Sequence, residues 1–379
     1  MDFGLTPEQE QIRAAIAKIC LRFGDEYWLK KDKEGGFPAD FHQAFARDGW
    51  LGIALPQEFG GSGLGITEAA LMMQAIAESG AGFSGASAVH MNIFGLNPVA
   101  VFGTPEQKKR MLPPLIAGRE RACFAVTEPD AGLNTRKIKT RAEKRNGNYV
   151  VSGQKVWIST AQVAEKVLLL ARAGLGLTLF YTGLDRRYVE VREIEKMGRH
   201  AVDSNLVYFD GMPVPERDRI GEEGKGFECL LHGLNPERIL IAAECVGLGR
   251  CALKRAAAYA KERIVFDRPI GQNQGVQHPL AASWMALEAA DLMAFKAASL
   301  YDAGKPCGAE ANAAKYLAAE ACFEACQRAM LTLGGYGYAR EYHVERYLRE
   351  SLISRIAPVS PQMILNYVAE RVLGLPKSY

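Results

Sequence analysis

The sequence predicts an α+β protein in which helices and strands are segregated along the chain rather than alternating. Three observations carry this. Apolar residues recur at helical spacing through the first third; from about Ala122 the pattern changes to short alternating or β-branched runs; after Gly226 long helical patterns return. Helices that do not alternate with strands disfavour a parallel doubly wound sheet and favour segregated layers. At 379 residues the chain exceeds one typical domain, and the changes of pattern divide it into 1–121, 122–226 and 227–379.

The first helix is announced by Thr6-Pro7-Glu8-Gln9: a threonine cap, a proline at the first helical position and a glutamine at the third, which make a capping box. Helical patterns follow at Ile12 to Phe23, Phe37 to Leu51, Ile66 to Ser79 and Ala86 to Phe102, broken by glycine-rich turns. Strands are predicted at Tyr149 to Val151, Lys166 to Ala171, Leu177 to Thr182, Tyr188 to Glu193 and Leu206 to Phe209. In the last third, Leu240 to Glu262, Ala281 to Ala303 and Ala309 to Leu333 read as long helices rich in Ala, Leu, Glu and Lys. The first of these is expected to begin at Asn235-Pro236-Glu237, where asparagine caps, proline opens the turn and an acid follows.

Composition narrows the function. Hydrophobic content of 48% and charged content of 23% are those of an ordinary globular protein. A formal charge of +3, from 46 basic against 43 acidic side chains, leaves no footprint for nucleic acid. The eight cysteines are scattered, and the close pair Cys322 and Cys326 has no histidine nearby, so neither a metal site nor a disulfide framework is expected. The polar N-terminus lacks a basic leader and an export signal, and charge interrupts every long apolar stretch. These features place the protein in a reducing, cytoplasmic compartment, off the membrane.

Four motifs carry chemistry. Cys123 to Gly132 read C-F-A-V-T-E-P-D-A-G, and Gly153 to Thr160 read G-Q-K-V-W-I-S-T; E-R-I-V-F-D-R-P-I-G-Q-N-Q starts at Glu262 and G-G-Y-G-Y-A-R-E-Y at Gly334. In this order they resemble the signature blocks of the acyl-CoA dehydrogenase family, and the resemblance covers nearly the whole chain. It implies a helical N-terminal domain, a small β-barrel-like middle domain and a C-terminal four-helix bundle, assembled as a homotetramer. It also implies FAD as cofactor, an acyl-CoA substrate oxidised between its α and β carbons, and electron-transfer flavoprotein as electron acceptor.

An isoalloxazine ring is a flat, largely apolar surface with a polar edge, so its site needs an aromatic or aliphatic wall and a few hydrogen bonds. The resemblance puts Phe124, Val126, Thr127, Trp157 and Ser159 around the flavin, with the two hydroxyls at its edge. Taken by itself, W-I-S-T is a strand with an apolar inward face. The family further assigns Arg263, Phe266 and Gln274 to the dinucleotide of a neighbouring subunit. Arginine suits that task because its planar fork holds two phosphate oxygens, although a helix C-terminus favours positive charge in any case. Gly335 allows close approach of backbone to cofactor, and Ser360 and Gln362 lie in a loop over it. Departures from the pattern are Leu133 in place of a hydroxyl, Asp267 in place of glycine and Leu331 in place of glutamine.

The base is displaced. Where the commonest family members carry a catalytic glutamate this chain reads Ala357-Pro358-Val359-Ser360, and proline takes no proton. In the isovaleryl-CoA and long-chain branches the glutamate stands at the start of the first bundle helix, and the matching residue is Glu237. The neighbouring Arg238 resembles the arginine that helps to place the CoA portion. Glu237 also serves as an ordinary first-turn acid, and a helix dipole there would lower its pKa, so burial has to outweigh it. Glu244, about 10 Å further along the axis, is the competing acid and is expected to pair within the bundle. Two other readings stand beside dehydrogenation: a flavin oxidase or monooxygenase of the same fold, and a non-catalytic flavin- or CoA-binding protein.

Overall fold

The computed structural model describes residues 4–174 and 176–378. The first region is helical: α1 (Pro7–Cys20), α2 (Asp25–Glu34), α3 (Ala39–Arg47), α4 (Ile66–Ile76), α5 (Gly82–Phe94), α6 (Asn97–Phe102) and α7 (Pro105–Ile116). The capping box forms as expected, with Gln9 N–H donating to Thr6 Oγ1 at 3.2 Å and Thr6 N–H to Gln9 Oε1 at 3.1 Å. The pattern gave no sign of α2, whose polar run buries only Trp28 and Asp32, or of α7, which contains Pro113 and Pro114. Between α4 and α5 a π turn over Ala77–Ala81 places Gly80 at φ 97° and re-aims the chain. The carboxylate of Asp302, more than 230 residues further along the chain, caps α4 by accepting the N–H groups of Ile66 (2.8 Å) and Thr67 (2.9 Å).

The middle region is a mixed sheet of β1 (Ala122–Ala125), β2 (Arg141–Arg145), β3 (Asn148–Ser159), β4 (Lys166–Ala173), β5 (Gly176–Gly183), β6 (Val189–Glu193), β7 (Ser204–Pro215) and β8 (Arg219–Ile220). Strand order is β6-β7-β3-β2-β4-β5-β8, with β1 parallel to β4. Seven strands contribute side chains to one cluster that includes Ala125, Ala142, Tyr149, Val167, Phe180, Val189 and Val214, as a curled sheet requires. Leu168, Leu170, Leu179 and Tyr181 on the other face pack against Leu112 and Leu115 of α7.

The last region is a helical bundle of α8 (Gly226–Glu262), a small hairpin of β9 (Ile264–Val265) and β10 (Arg268–Pro269), then α9 (Gln274–Asp302), α10 (Gly308–Leu333), α11 (Val344–Ile356) and α12 (Pro361–Tyr367). Its core is largely alanine, including Ala252, Ala256, Ala290, Ala294, Ala314 and Ala318, which lets the helices approach closely. Ile239, Leu240 and Ala243 of α8 join the core of the N-terminal helices. One expectation is overturned: α8 starts at Gly226, so Asn235 and Pro236 lie inside it. The glycine explains the early start, because a Cβ there would collide with the backbone of Thr178 and Leu179 on β5. With α8 already under way, Asn235 caps nothing, and its Oδ1 accepts from Arg238 Nη1 at 3.1 Å.

Candidate functional site

The first two motifs meet side by side. Val156 N–H donates to the Thr127 carbonyl at 2.9 Å, which sets Trp157 next to Thr127. Beneath them the fully buried Lys155 donates from Nζ to the Val126 carbonyl (2.9 Å) and to Glu128 Oε1 (3.0 Å). Glu128 also accepts from the N–H groups of Lys139 (2.5 Å) and Thr140 (2.9 Å), so one buried pair ties both motifs together. Burial works against the Lys155 ammonium and lowers its pKa to about 8. Burial also opposes the Glu128 carboxylate, but Lys155 and the hydrogen bonds outweigh it and hold the carboxyl below its usual range.

Past Lys155 the register of β3 against β7 shifts, and Trp157 takes a left-handed φ of 62°. That is an outlier for a bulky residue and costs roughly 1–3 kcal/mol. Its consequence is that the indole turns outward and stays 59% exposed. Phe124, Thr127 and Ser159 are half-buried beside it, while the Val126 side chain is buried in the cluster below. Ser159 Oγ accepts from Arg199 Nη2 at 3.0 Å. An open indole face, an adjacent threonine and a serine hydroxyl backed by a guanidinium fit a planar ring with a polar edge.

Helix α5 joins this cradle to α8. Its Ser87 accepts from Arg199 Nη1 at 3.2 Å, and one turn later His90 Nδ1 lies 2.5 Å from Glu244 Oε1. Glu244 therefore pairs with the N-terminal helices and not within the bundle as expected. Seven residues before it on the same face of α8 stands Glu237, half-buried. Burial pushes the Glu237 carboxyl from 4.5 to about 7; His90, Arg238 and Lys315 oppose the rise, and Glu244 adds to it. The expected dipole effect has no place here, because Glu237 is well past the first turn of α8. Burial alone would keep His90 neutral, but the Glu244 carboxylate, with a smaller push from Glu237, raises its pKa.

The loop that carries Pro358 is held by Lys315 of α10, whose Nζ donates to the Val359 carbonyl at 2.6 Å. Burial lowers Lys315 to about 8. Ser360 Oγ caps α12 by accepting from Met363 N–H at 3.4 Å, and Gln362 is exposed. Arg238 is half-buried, and its Nε has no hydrogen-bond partner among the described residues.

The remaining candidates gather elsewhere. Arg263 ends α8, about 39 Å from Glu237 along the helix axis, and its guanidinium lies 5.7 Å from the Tyr336 ring, in the same turn as Gly335. Phe266 sits at the tip of the β9–β10 hairpin with φ 52° and is 93% exposed; Gln274 opens α9, also exposed. In the same hairpin Arg268 Nη2 donates to Asn273 Oδ1 at 2.7 Å.

The candidate residues thus fall into two groups, one around Glu237 within α8 and one around Arg263 at its C-terminal end. The first group includes side chains that the sequence reading did not single out: Lys155, Glu128, His90, Arg199 and Lys315. Only Lys155 left a signal, as a charged residue on the inward side of an alternating strand.

Segregated helices around a curled sheet, with an exposed indole and hydroxyls that fit a flat ring and a buried carboxyl raised to about 7 on α8, are the features of a flavin-dependent oxidoreductase of three-part architecture. The chain belongs to the acyl-CoA dehydrogenase family: residues 6–119, 123–212 and 224–373 match the family's N-terminal, middle and C-terminal domains. Members of this family bind FAD. The chain is 39% identical over 380 residues to the acyl-CoA dehydrogenase FadE12 of Mycobacterium tuberculosis, spanning 98% of this chain and 97% of that one. Butyryl-CoA dehydrogenase from Megasphaera elsdenii superposes with a TM-score of 0.94 at 28% identity, over 98% of this chain and 100% of that chain. PigA in its FAD complex superposes with a TM-score of 0.93 at 26% identity, over 99% and 100% of the two chains. No helix among the described residues is long and apolar enough to cross a membrane.

Proposed function

We propose that the protein oxidises an acyl-CoA thioester to its 2-enoyl-CoA, with Glu237 as the base that takes the α-proton and electron-transfer flavoprotein as the acceptor of the electrons. FAD, when bound, supplies the acceptor for the hydride that leaves the β-carbon. The observation that carries the reading is the Glu237 carboxyl. It is pushed to about 7 by burial, on a helix that α5 ties to the Trp157–Ser159 cradle through the Ser87–Arg199–Ser159 and His90–Glu244 contacts.

A base with its pKa near the working pH is both sufficiently ionised and sufficiently strong. His90, Arg238 and Lys315 keep the carboxyl from rising further, so a useful fraction is ionised before substrate enters. Trp157, Phe124 and Thr127 wall the ring, and Thr127 and Ser159 supply hydroxyls at its edge. Lys315 fixes the loop where a glutamate is replaced by Pro358, which leaves Glu237 as the acid in reach of the α-carbon. Arg238, whose Nε has no hydrogen-bond partner among the described residues, orients the CoA portion. Because about 39 Å of α8 separates Glu237 from Arg263, we assign Arg263, Phe266, Gln274 and Gly335 to the dinucleotide held by a second copy in a homotetramer. Ser360 and Gln362 complete the cover over the cofactor.

The test is anaerobic mixing of purified holoprotein with a panel of acyl-CoA thioesters while flavin absorbance is followed. Wild type is expected to bleach with at least one thioester, and Glu237→Gln to keep its flavin yet fail to bleach. Bleaching that survives in the variant refutes the assignment of the base. Reoxidation by air as fast as by electron-transfer flavoprotein refutes the assigned acceptor.

A further inference from the structure

The loop between β6 and β7 carries a guanidinium whose positive charge the reading above does not use. Arg199 adopts a left-handed φ of 58°, uncommon for a residue with a side chain, and reaches into the seam between α5, β3 and β7. Its Nη1 donates to Ser87 Oγ at 3.2 Å, and its Nη2 to Ser159 Oγ at 3.0 Å and Ser204 Oγ at 3.4 Å. All three partners are neutral hydroxyls. The carboxylates whose fields reach it are Glu350, Glu244 and Asp203, and each is engaged elsewhere.

Glu350 is paired with Arg346 at 3.2 Å and accepts from Ser84 Oγ at 2.7 Å. Glu244 is paired with His90 at 2.5 Å. Asp203 accepts from Gln162 N–H at 3.0 Å and from Asn205 Nδ2 at 2.5 Å. Burial works against the charge of Arg199 and lowers its pKa. A desolvated guanidinium with no counterion of its own among the described residues is costly, and its place beside Ser159 points to an anionic partner from outside the chain.

We propose that Arg199 supplies the positive charge against which the flavin ring takes up electrons, acting beside and through Ser159. The proposal rests on the placement of the ring at Trp157 and Ser159 argued above. Because Ser159 Oγ already accepts from Arg199, its own hydrogen is free to be donated outward to an acceptor on the ring edge, and a charged donor behind it strengthens that bond. Taking a hydride adds two electrons and one proton to the ring, while the α-proton goes to Glu237. The ring therefore ends one negative charge richer. A fixed cation in a site shielded from water favours that state more than it would in bulk solvent.

The experiment compares wild-type holoprotein with Arg199→Gln and Arg199→Lys. One readout is the two-electron reduction equilibrium against a reference dye. The other is titration with sulfite, which adds at the ring nitrogen that accepts hydride and leaves a like negative charge. Arg199→Gln is expected to lower the reduction equilibrium at least tenfold, about 30 mV for a two-electron couple, and to weaken sulfite binding in parallel; Arg199→Lys should restore most of both. An equilibrium unchanged in Arg199→Gln, an equal fall in both variants, or loss of FAD from both overturns the proposal.

The wild-type protein keeps the two ideas apart. If it binds no FAD or never bleaches, the functional reading fails and this one with it. If it does both while Arg199→Gln behaves as wild type, only the role of Arg199 fails.

Discussion

Replacing Glu237 with glutamine should stabilise the protein while abolishing its chemistry, and the stabilisation should depend on pH in a calculable way. Burial moves the carboxyl from 4.5 to about 7. Well below the lower value both the folded and unfolded chains hold the proton, and the substitution changes little. As pH rises from 4.5 towards 7, the unfolded chain releases its proton while the folded chain keeps it, so wild type loses stability through that window relative to the glutamine variant. Above 7 the folded carboxylate is ionised and the loss is complete. At about 1.4 kcal/mol per pKa unit, the limit is about 3 kcal/mol.

The assay is urea unfolding of both proteins at equal protomer and FAD concentrations. The advantage of Glu237→Gln should grow from under about 1 kcal/mol near pH 5 to about 3 kcal/mol near pH 8.5. A difference that is flat with pH, or a wild type that is the more stable at alkaline pH, refutes the claim that desolvation governs this carboxyl.

Other outcomes follow from the same contacts. Dehydrogenation needs the carboxylate, so kcat/KM should rise as pH increases through about 7. Because His90 opposes the upward shift of Glu237, His90→Gln should move that rise to higher pH; movement to lower pH would contradict the sign. The same variant leaves Glu244 buried and unpaired, at a cost of about 3–5 kcal/mol in unfolding experiments. Lys155→Met should destabilise by a similar 3–5 kcal/mol and release FAD on gel filtration, and adding Glu128→Gln should recover part of the loss, since the buried carboxylate is then gone. Gly226→Ala should lower the thermal midpoint, by about 1–3 kcal/mol of overpacking against β5; an unchanged midpoint would mean that α8 can shift to make room.

What was legible in the sequence was what is local in the chain. The Thr6 capping box spans four residues and forms as written. The first two motifs are each contiguous in the chain, on and just after β1 and along β3, and their backbones meet through Val156 and Thr127, so the pieces of the proposed cradle could be read from adjacent residues. The orientation of Trp157 could not, because alternation along β3 points it inward and only the register shift against β7, some fifty residues away, turns it out. Arg199 and His90 were invisible for the same reason: apart from Ser204, five residues from Arg199, their named partners Ser87, Ser159 and Glu244 are 112, 40 and 154 residues distant, and no periodicity records such a contact.

The misplaced start of α8 changes the chemistry as well as the boundary. Asn235-Pro236-Glu237 satisfies every local rule for a helix N-terminus, yet Gly226 fits so closely against β5 that the helix is already formed when the chain reaches it. Tertiary packing has overridden local propensity. An acid in a first turn faces unpaired N–H groups and a positive dipole end, which hold its carboxyl down. More than two turns into the helix those groups are spent on their own carbonyls, and the balance passes to burial against His90, Arg238 and Lys315. The continuity of α8 through Pro236 is thus what permits the Glu237 carboxyl to reach about 7. A variant that broke the helix at this point, leaving Asn235 as a true cap, should bring the carboxyl down towards its ordinary range and weaken it as a base.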